Sequence, residues 1–150
     1  MLRTIGLATL VAGTLDILFA IALTLFYGRD PMAMLRYVAS GPYAPASEMG
    51  ATGSALGLLV HFALMAIMAA AYVWFARSRP HLADMPVRAG IAYGVLTYVI
   101  MNLIVVPMRF GMPVSARPVS IATQLFAHVV LVGVPIAMVT ARYLKRRATA

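Results

Sequence analysis

Four long apolar stretches alternate with short polar segments along this chain. They cover residues 5–27, 53–75, 89–106 and 119–141. At a helical rise of ~1.5 Å per residue, 23 residues cover about 35 Å, which crosses a hydrocarbon core of ~30 Å with some tilt. The stretches lack the polar outer face that a soluble helix presents. The pattern predicts an all-α fold, a single transmembrane domain over residues 1–150 with four membrane-spanning helices packed as a bundle.

The first connecting segment carries the signals of a short helix of its own. Asp30 suits the N-cap, Pro31 suits the first helical position, and Gly41 with Pro42 would end the helix. Apolar residues between these signals share one face. We therefore predict a short interfacial or partly re-entrant helix in the first outer loop.

Prolines mark the other two connections. Residues 76–88 contain Pro80 and Pro86 and are predicted to form a tight turn. Residues 107–118 contain three prolines and should not form one continuous helix, because proline removes a helical hydrogen bond and its ring clashes with the preceding turn.

Composition supports the membrane interpretation. Hydrophobic residues make up 63% of the chain and charged residues 11%, with a mean hydropathy of +0.91, far from the balance of a soluble domain. The net charge of +8 is spread over tails and loops rather than along one face, so nucleic acid is not an expected partner and the lipid bilayer is.

The basic residues also predict an orientation. Eight fall on the side of both termini and four on the opposite side. Because cytoplasmic segments carry the excess of Lys and Arg, we expect both termini to be cytoplasmic in a multi-pass membrane protein. The two groups are Arg3, Arg77, Arg79, Arg88, Arg142, Lys145, Arg146 and Arg147, and Arg29, Arg36, Arg109 and Arg117.

Two enzyme signals are missing from the sequence. Cysteine is absent, which excludes disulfides, thiolate metal sites and iron–sulfur clusters. Ser54 lies in Gly-Ser-Ala-Leu-Gly, which is not the G-x-S-x-G nucleophile motif. No catalytic residue is predicted, and a non-enzymatic role is favoured.

Each predicted span carries one seam of small or polar residues. Such seams let helices approach closely in lipid, where association depends on packing and on hydrogen bonds between polar side chains. The seams are Gly6, Gly13, Asp16, Ala20 and Thr24; Gly53, Gly57 and His61; Gly90, Gly94, Tyr98 and Asn102; and Ser120, Gln124 and His128.

Polar side chains recur at similar depth in these seams. At ~1.5 Å per residue from the outer helix ends, Asp16 lies about 16 Å deep, His128 about 13, His61 about 12 and Asn102 about 7. An ionisable group near the bilayer centre costs at least ~2.5–3.5 kcal/mol, so Asp16 should face inward and pair with a histidine. We predict a buried polar cluster of these four residues in the outer half of the bundle. The supporting residues are Gly57, Tyr98, Gln124 and Ser40.

Three interpretations of this cluster remain open. It is a structural hydrogen-bond network in a structural or accessory membrane protein, with no cofactor. Alternatively, Asp16 and His61 or His128 carry protons in a small transporter or proton-linked carrier, which would need to form a homo-oligomer because four helices enclose little space. In the third interpretation, His61 and His128 are axial ligands of haem b, or Asp16 joins them around a metal ion. Another membrane protein is a further candidate partner.

Three short motifs add a resemblance. They are Gly13-Thr14-Leu15-Asp16-Ile17, Leu35 with Ala39-Ser40-Gly41, and Gly57 with His61-Phe62. Together they resemble a family of small, uncharacterised bacterial four-helix inner-membrane proteins, a domain of unknown function. The resemblance runs from the first span into the fourth and implies a four-helix membrane fold, with Asp16, Ser40 and His61 as positions of note, and no mechanism. A further glycine follows the A-S-G turn in that family, where this chain has Ala44.

Overall fold

The computed structural model describes residues 1–111, 113, 114 and 117–148. Four long helices and one short helix account for most of this part of the chain, and it contains no strand. Short 3-10 helices, Ala44–Glu48 and Pro80–Ala83, lie in the first two connections. The five helices are α1 (Leu2–Phe26), α2 (Pro31–Ser40), α3 (Gly50–Arg77), α4 (Pro86–Phe110) and α5 (residues 118–148).

The predicted fold class is confirmed at the level of its helices. The described residues contain four helices, α1, α3, α4 and α5, that are long and apolar enough to cross a membrane by length and composition. Each begins before its predicted apolar stretch, as α1 does by including Arg3, and α3 also continues beyond the predicted end at residue 75 to Arg77.

Each helix packs against particular neighbours around one core. α1 packs against α3 and α5, α4 packs mainly against α5, and α2 lies on α3. We call the end where α1 begins and α5 ends the terminal end, and the opposite end the loop end. A core runs from the middle of the bundle toward the terminal end, formed by Ala8, Ala12, Met65, Ala69, Tyr72, Ala76, Val132, Ile136 and Ala137.

Three glycines bring the backbones of α4 and α5 into direct contact. A Cβ added at Gly94 would lie 2.5 Å from the carbonyl oxygen of His128, and one added at Gly90 would lie 2.6 Å from Cα of Val134. From the other side, a Cβ at Gly133 would collide with the backbone of α4. Any side chain at these positions would therefore force the two helices apart.

The short helix α2 forms where the sequence predicts it. The Asp30 carboxylate accepts hydrogen bonds from the amides of Met32 and Ala33, at 2.9 and 3.1 Å, and caps the helix. The carbonyl of Leu35 then rests directly on Gly57, where a Cβ would collide with it. The glycine that the sequence marks for helix packing thus seats α2 on α3.

Two π-helical segments precede the prolines within α4 and α5. They are Val99–Val105, which leads into Val106 and Pro107, and Ala127–Gly133, which leads into Val134 and Pro135. The wider π register changes which carbonyl lies beside each proline ring. α4 therefore continues through Pro107 to Phe110, beyond the predicted end of the third span at residue 106, and a left-handed Gly111 (φ +62°) ends it.

Candidate functional site

Asp16 and His61 face each other between α1 and α3. The Oδ2 atom of Asp16 lies 3.9 Å from Nδ1 of His61, and the other ring nitrogen, Nε2, lies 2.9 Å from the carbonyl oxygen of Gly13. Their side chains are 20% and 9% exposed. The predicted pairing of Asp16 with a histidine is therefore present in the structure, with His61 as the partner.

The Gly13 carbonyl fixes where His61 holds a proton. A carbonyl oxygen only accepts, so Nε2 of His61 must donate, and Nδ1 is the nitrogen that faces the carboxylate of Asp16. Two unprotonated atoms facing each other would repel. A proton on either Nδ1 or Oδ2 removes this repulsion and leaves the pair without net charge, and at 3.9 Å the remaining contact is electrostatic rather than a hydrogen bond.

His128 occupies a second polar site, between α4 and α5. The amide nitrogen of Asn102 lies 3.1 Å from Nε2 of His128, and Nδ1 lies 3.2 Å from the hydroxyl of Thr97. That hydroxyl donates in turn to the carbonyl of Gly94 at 2.9 Å. Both nitrogens of the ring are therefore engaged within the bundle.

The hydrogen bonds of this second site run in one direction, from Asn102 to His128, from His128 to Thr97 and from Thr97 to Gly94. The Asn102 NH₂ group only donates, so Nε2 of His128 accepts and Nδ1–H donates to Thr97, whose own proton goes to Gly94. The same network requires the amide atom of Asn102 that faces Nε2 to be the nitrogen, because Nε2 of the neutral ring accepts. The chain of hydrogen bonds is complete with a neutral imidazole.

The four predicted cluster residues thus form two pairs. Among the described residues, no hydrogen bond or ion pair joins Asp16 and His61 to Asn102 and His128. Thr97 joins the second pair through its bond to His128, although sequence reasoning missed it. The sequence indicated it only by position, since Thr97 lies about one turn after Gly94 on the glycine-lined face of the third span.

Two supporting residues lie beside the second pair. The ring of Tyr98 meets that of His128 edge to face, with centroids 6.1 Å apart. Gln124 lines a cavity of about 120 Å³ together with Asn102 and Tyr98. Gln124 and Ser120 also line a larger crevice of about 600 Å³ at the loop end. Asn102 therefore lines a small cavity, and Gln124 lines both this cavity and the crevice at the loop end.

Ser40 takes part in a different contact, which fastens α2 to the end of α4. Arg109 donates from Nη2 to the carbonyl of Ser40 at 2.9 Å and from Nε to the carbonyl of Gly41. The rings of Tyr37 and Phe110 stack beside it, with centroids 4.5 Å apart. A cation at the C-terminal end of a helix is favoured by the exposed carbonyls there. The role of Arg109 was not foreseen from the sequence.

The structure does not gather the candidate metal ligands. Among the described residues, no three His, Asp or Glu side chains lie together as a metal site. Asp16 and His61 are neighbours, while His128 is bonded to Asn102 and Thr97. A haem or metal bound through either histidine would have to replace one of these contacts. Binding of such a group stays a prediction.

Comparison of the chain with family models, with curated proteins and with solved structures finds no match. Function must therefore be argued from the geometry.

Proposed function

We propose that this chain is an integral protein of the bacterial inner membrane, with four spans, both termini in the cytoplasm and α2 at the outer interface. Support comes from its surface. Large apolar side chains such as Leu59 and Ile67, each about two-thirds exposed, point away from the bundle along all four long helices. Soluble proteins rarely expose contiguous apolar area on this scale, whereas lipid requires it.

We further propose that its role is structural or accessory, as a packed scaffold that binds lipid and other membrane proteins or a second copy of itself. The observation that carries this is the closure of the second polar site, where both nitrogens of His128 bond within the bundle. Groups paired in this way fix helix register and leave neither ring nitrogen of His128 free for chemistry.

The motif residues support a proposed membership in the resembled family. Gly13 packs against Phe62 and bonds His61, Leu35 rests on Gly57, and the Ser40 carbonyl bonds Arg109. The first and third motifs thus meet where α1 packs on α3, and the second meets the third where α2 rests on α3 and also bonds α4 through Ser40. These contacts give a reason for these residue types to occur together.

A proton-linked carrier is the second candidate, favoured by one observation. Asp16 and His61 face each other at 3.9 Å inside the bundle, and the side chain of Asp16 keeps 20% of its surface exposed. A carboxylate and an imidazole side by side inside a bundle are the usual parts of a proton relay.

The proposed orientation is tested with single cysteines, because the natural chain has none. Ser47 lies in the first connection, at the loop end, and Ser78 lies at the terminal end, and both are exposed. We expect a membrane-impermeant maleimide to label Ser47→Cys in intact cells and Ser78→Cys only after permeabilisation. The reverse pattern would invert the proposed topology, and equal labelling of both in intact cells would argue against insertion.

Asp16→Asn separates the two candidate roles. An amide cannot exchange a proton at neutral pH but can still lie beside His61. If the role is structural, the purified variant should keep its fold and thermal stability, and vesicles with either protein should show the same proton flux. Proton flux in the natural protein that disappears in Asp16→Asn would establish the carrier instead.

A further inference from the structure

A basic crevice lies between α1 and α5 at the terminal end. It has a volume of about 770 Å³ and is lined on α1 by Arg3, Thr4 and Leu7, with Arg142 and Arg146 among its residues on α5. Met1 and Leu2 complete the lining at the start of α1, while residues 139, 142, 143 and 146 follow one another by about a turn, so α5 contributes a single face.

Acidic side chains are missing from the lining of this crevice in the described part of the chain. The chain has four acidic residues, and none of them lines the crevice. Arg3 and Arg142 are exposed, and neither side chain forms an ion pair or a hydrogen bond with a described residue. Arg77, at the end of α3, adds a further guanidinium nearby, since its Nη1 lies 3.0 Å from the sulfur of Met1, another lining residue.

The same crevice continues into apolar surface. Leu7 lies one turn beyond Arg3 toward the middle of the bundle, about 6 Å along α1, and Val139 lies about 4.5 Å beyond Arg142 along α5. Leu7 is 54% exposed. A ligand that fits this surface carries an anionic group at one end and a hydrocarbon chain at the other.

We propose that this crevice binds one anionic phospholipid, with the headgroup phosphate between Arg3 and Arg142 and an acyl chain along Leu7 and Val139. Guanidinium groups donate paired hydrogen bonds to phosphate oxygens, and basic crevices between helices on the cytoplasmic side suit such headgroups. The lipid would bridge the first and last helices. The proposal rests on the proposed membrane insertion, which brings this end to the level of the headgroups.

The test uses the full chain, extracted in neutral detergent and stripped of lipid. Phosphatidylglycerol and phosphatidylcholine are titrated separately, and bound lipid is counted by native mass spectrometry. We expect one phosphatidylglycerol to bind at saturation. Arg3→Gln/Arg142→Gln should weaken its binding at least about tenfold, because charge-assisted hydrogen bonds to phosphate are lost.

Arg79→Gln/Arg88→Gln is the matched control. It removes the same charge at the same end of the bundle, from exposed residues outside the crevice, and should bind phosphatidylglycerol as the natural protein does. Equal losses in both double variants, equal binding of phosphatidylcholine, or full competition by millimolar inorganic phosphate would each overturn the proposal. Because the cysteine labelling reports insertion independently, a protein that inserts as proposed but binds no phosphatidylglycerol would refute the lipid site alone.

Discussion

At the scale of single residues, the two histidines of the site use Nε2 in opposite ways because their partners differ: it donates in His61 and accepts in His128. The Gly13 carbonyl requires a proton on Nε2 of His61, whereas the Asn102 amide requires a free lone pair on Nε2 of His128. Only the first histidine faces a carboxylate. Among the described residues, the pair between α1 and α3 therefore joins an imidazole to a carboxylate, and the pair between α4 and α5 joins an imidazole to an amide.

Thr97→Val tests the second pair. The substitution keeps the shape of the side chain but leaves Nδ1–H of His128 without its acceptor. We expect the free energy of unfolding to fall by about 0.6–1.7 kcal/mol, which runs from the average to the largest value for hydrogen bonds between helices in a membrane protein. Equilibrium unfolding in mixed micelles measures it.

Thr9→Val is the control with the same change of atoms. The Thr9 hydroxyl is buried, with no hydrogen-bond partner in the described part of the chain. Removing an unpaired polar group should leave stability unchanged or raise it. If both variants lost the same stability, the hydrogen bond to His128 would not be the cause.

Sequence reasoning reached only part of this site. Asp16 was expected to pair because a lone carboxylate in an apolar helix needs a donor, and His61 meets that need. Thr97 was not identified, since a threonine in an apolar helix commonly bonds a carbonyl of its own preceding turn, as it also does here. The division into two pairs depends on which helices are neighbours, and periodicity within a helix does not contain that information.

At the scale of helices, glycine decides which backbones touch. Gly94→Ala would place a methyl group 2.5 Å from the backbone of α5, at the carbonyl oxygen of His128. We expect a loss of about 1–3 kcal/mol in the free energy of unfolding, because the helices must separate to admit it. Gly6 has nothing within 4 Å of an added Cβ, so Gly6→Ala should instead gain up to about 1 kcal/mol through helix propensity.

Comparing Gly94→Ala with Gly6→Ala shows whether a loss of stability comes from close helix packing or from replacing any helical glycine. Both lie in helices and both receive the same methyl group, so opposite signs in the unfolding free energy are the expected signature. A neutral Gly94→Ala would mean that α4 and α5 have room between them, contrary to the structure.

The helices themselves were predictable and their irregularities were not. Twenty-three apolar residues specify a long helix, and Asp30 with Pro31 specifies the start of α2, because these are local rules. The π-helical segments before Pro107 and Pro135 were not predicted. Proline alone indicates a break, and whether a helix instead widens and continues depends on support from its neighbours.

At the scale of the whole molecule, the single tryptophan reports how the bundle lies in a bilayer. Trp74 is 74% exposed on α3 and lies three residues before Arg77, about 4.5 Å along the helix. If the terminal end lies at the headgroups, the indole belongs at the membrane–water interface, the depth that tryptophan prefers. Lipids brominated near the headgroup should therefore quench its emission more strongly than lipids brominated near the bilayer centre, while aqueous iodide should quench it weakly. Strong quenching by iodide without quenching by either lipid would contradict insertion. Stronger quenching by the deep bromines would place Trp74, and with it the basic terminal end, nearer the bilayer centre, contrary to the proposed position of the Arg side chains at the headgroups.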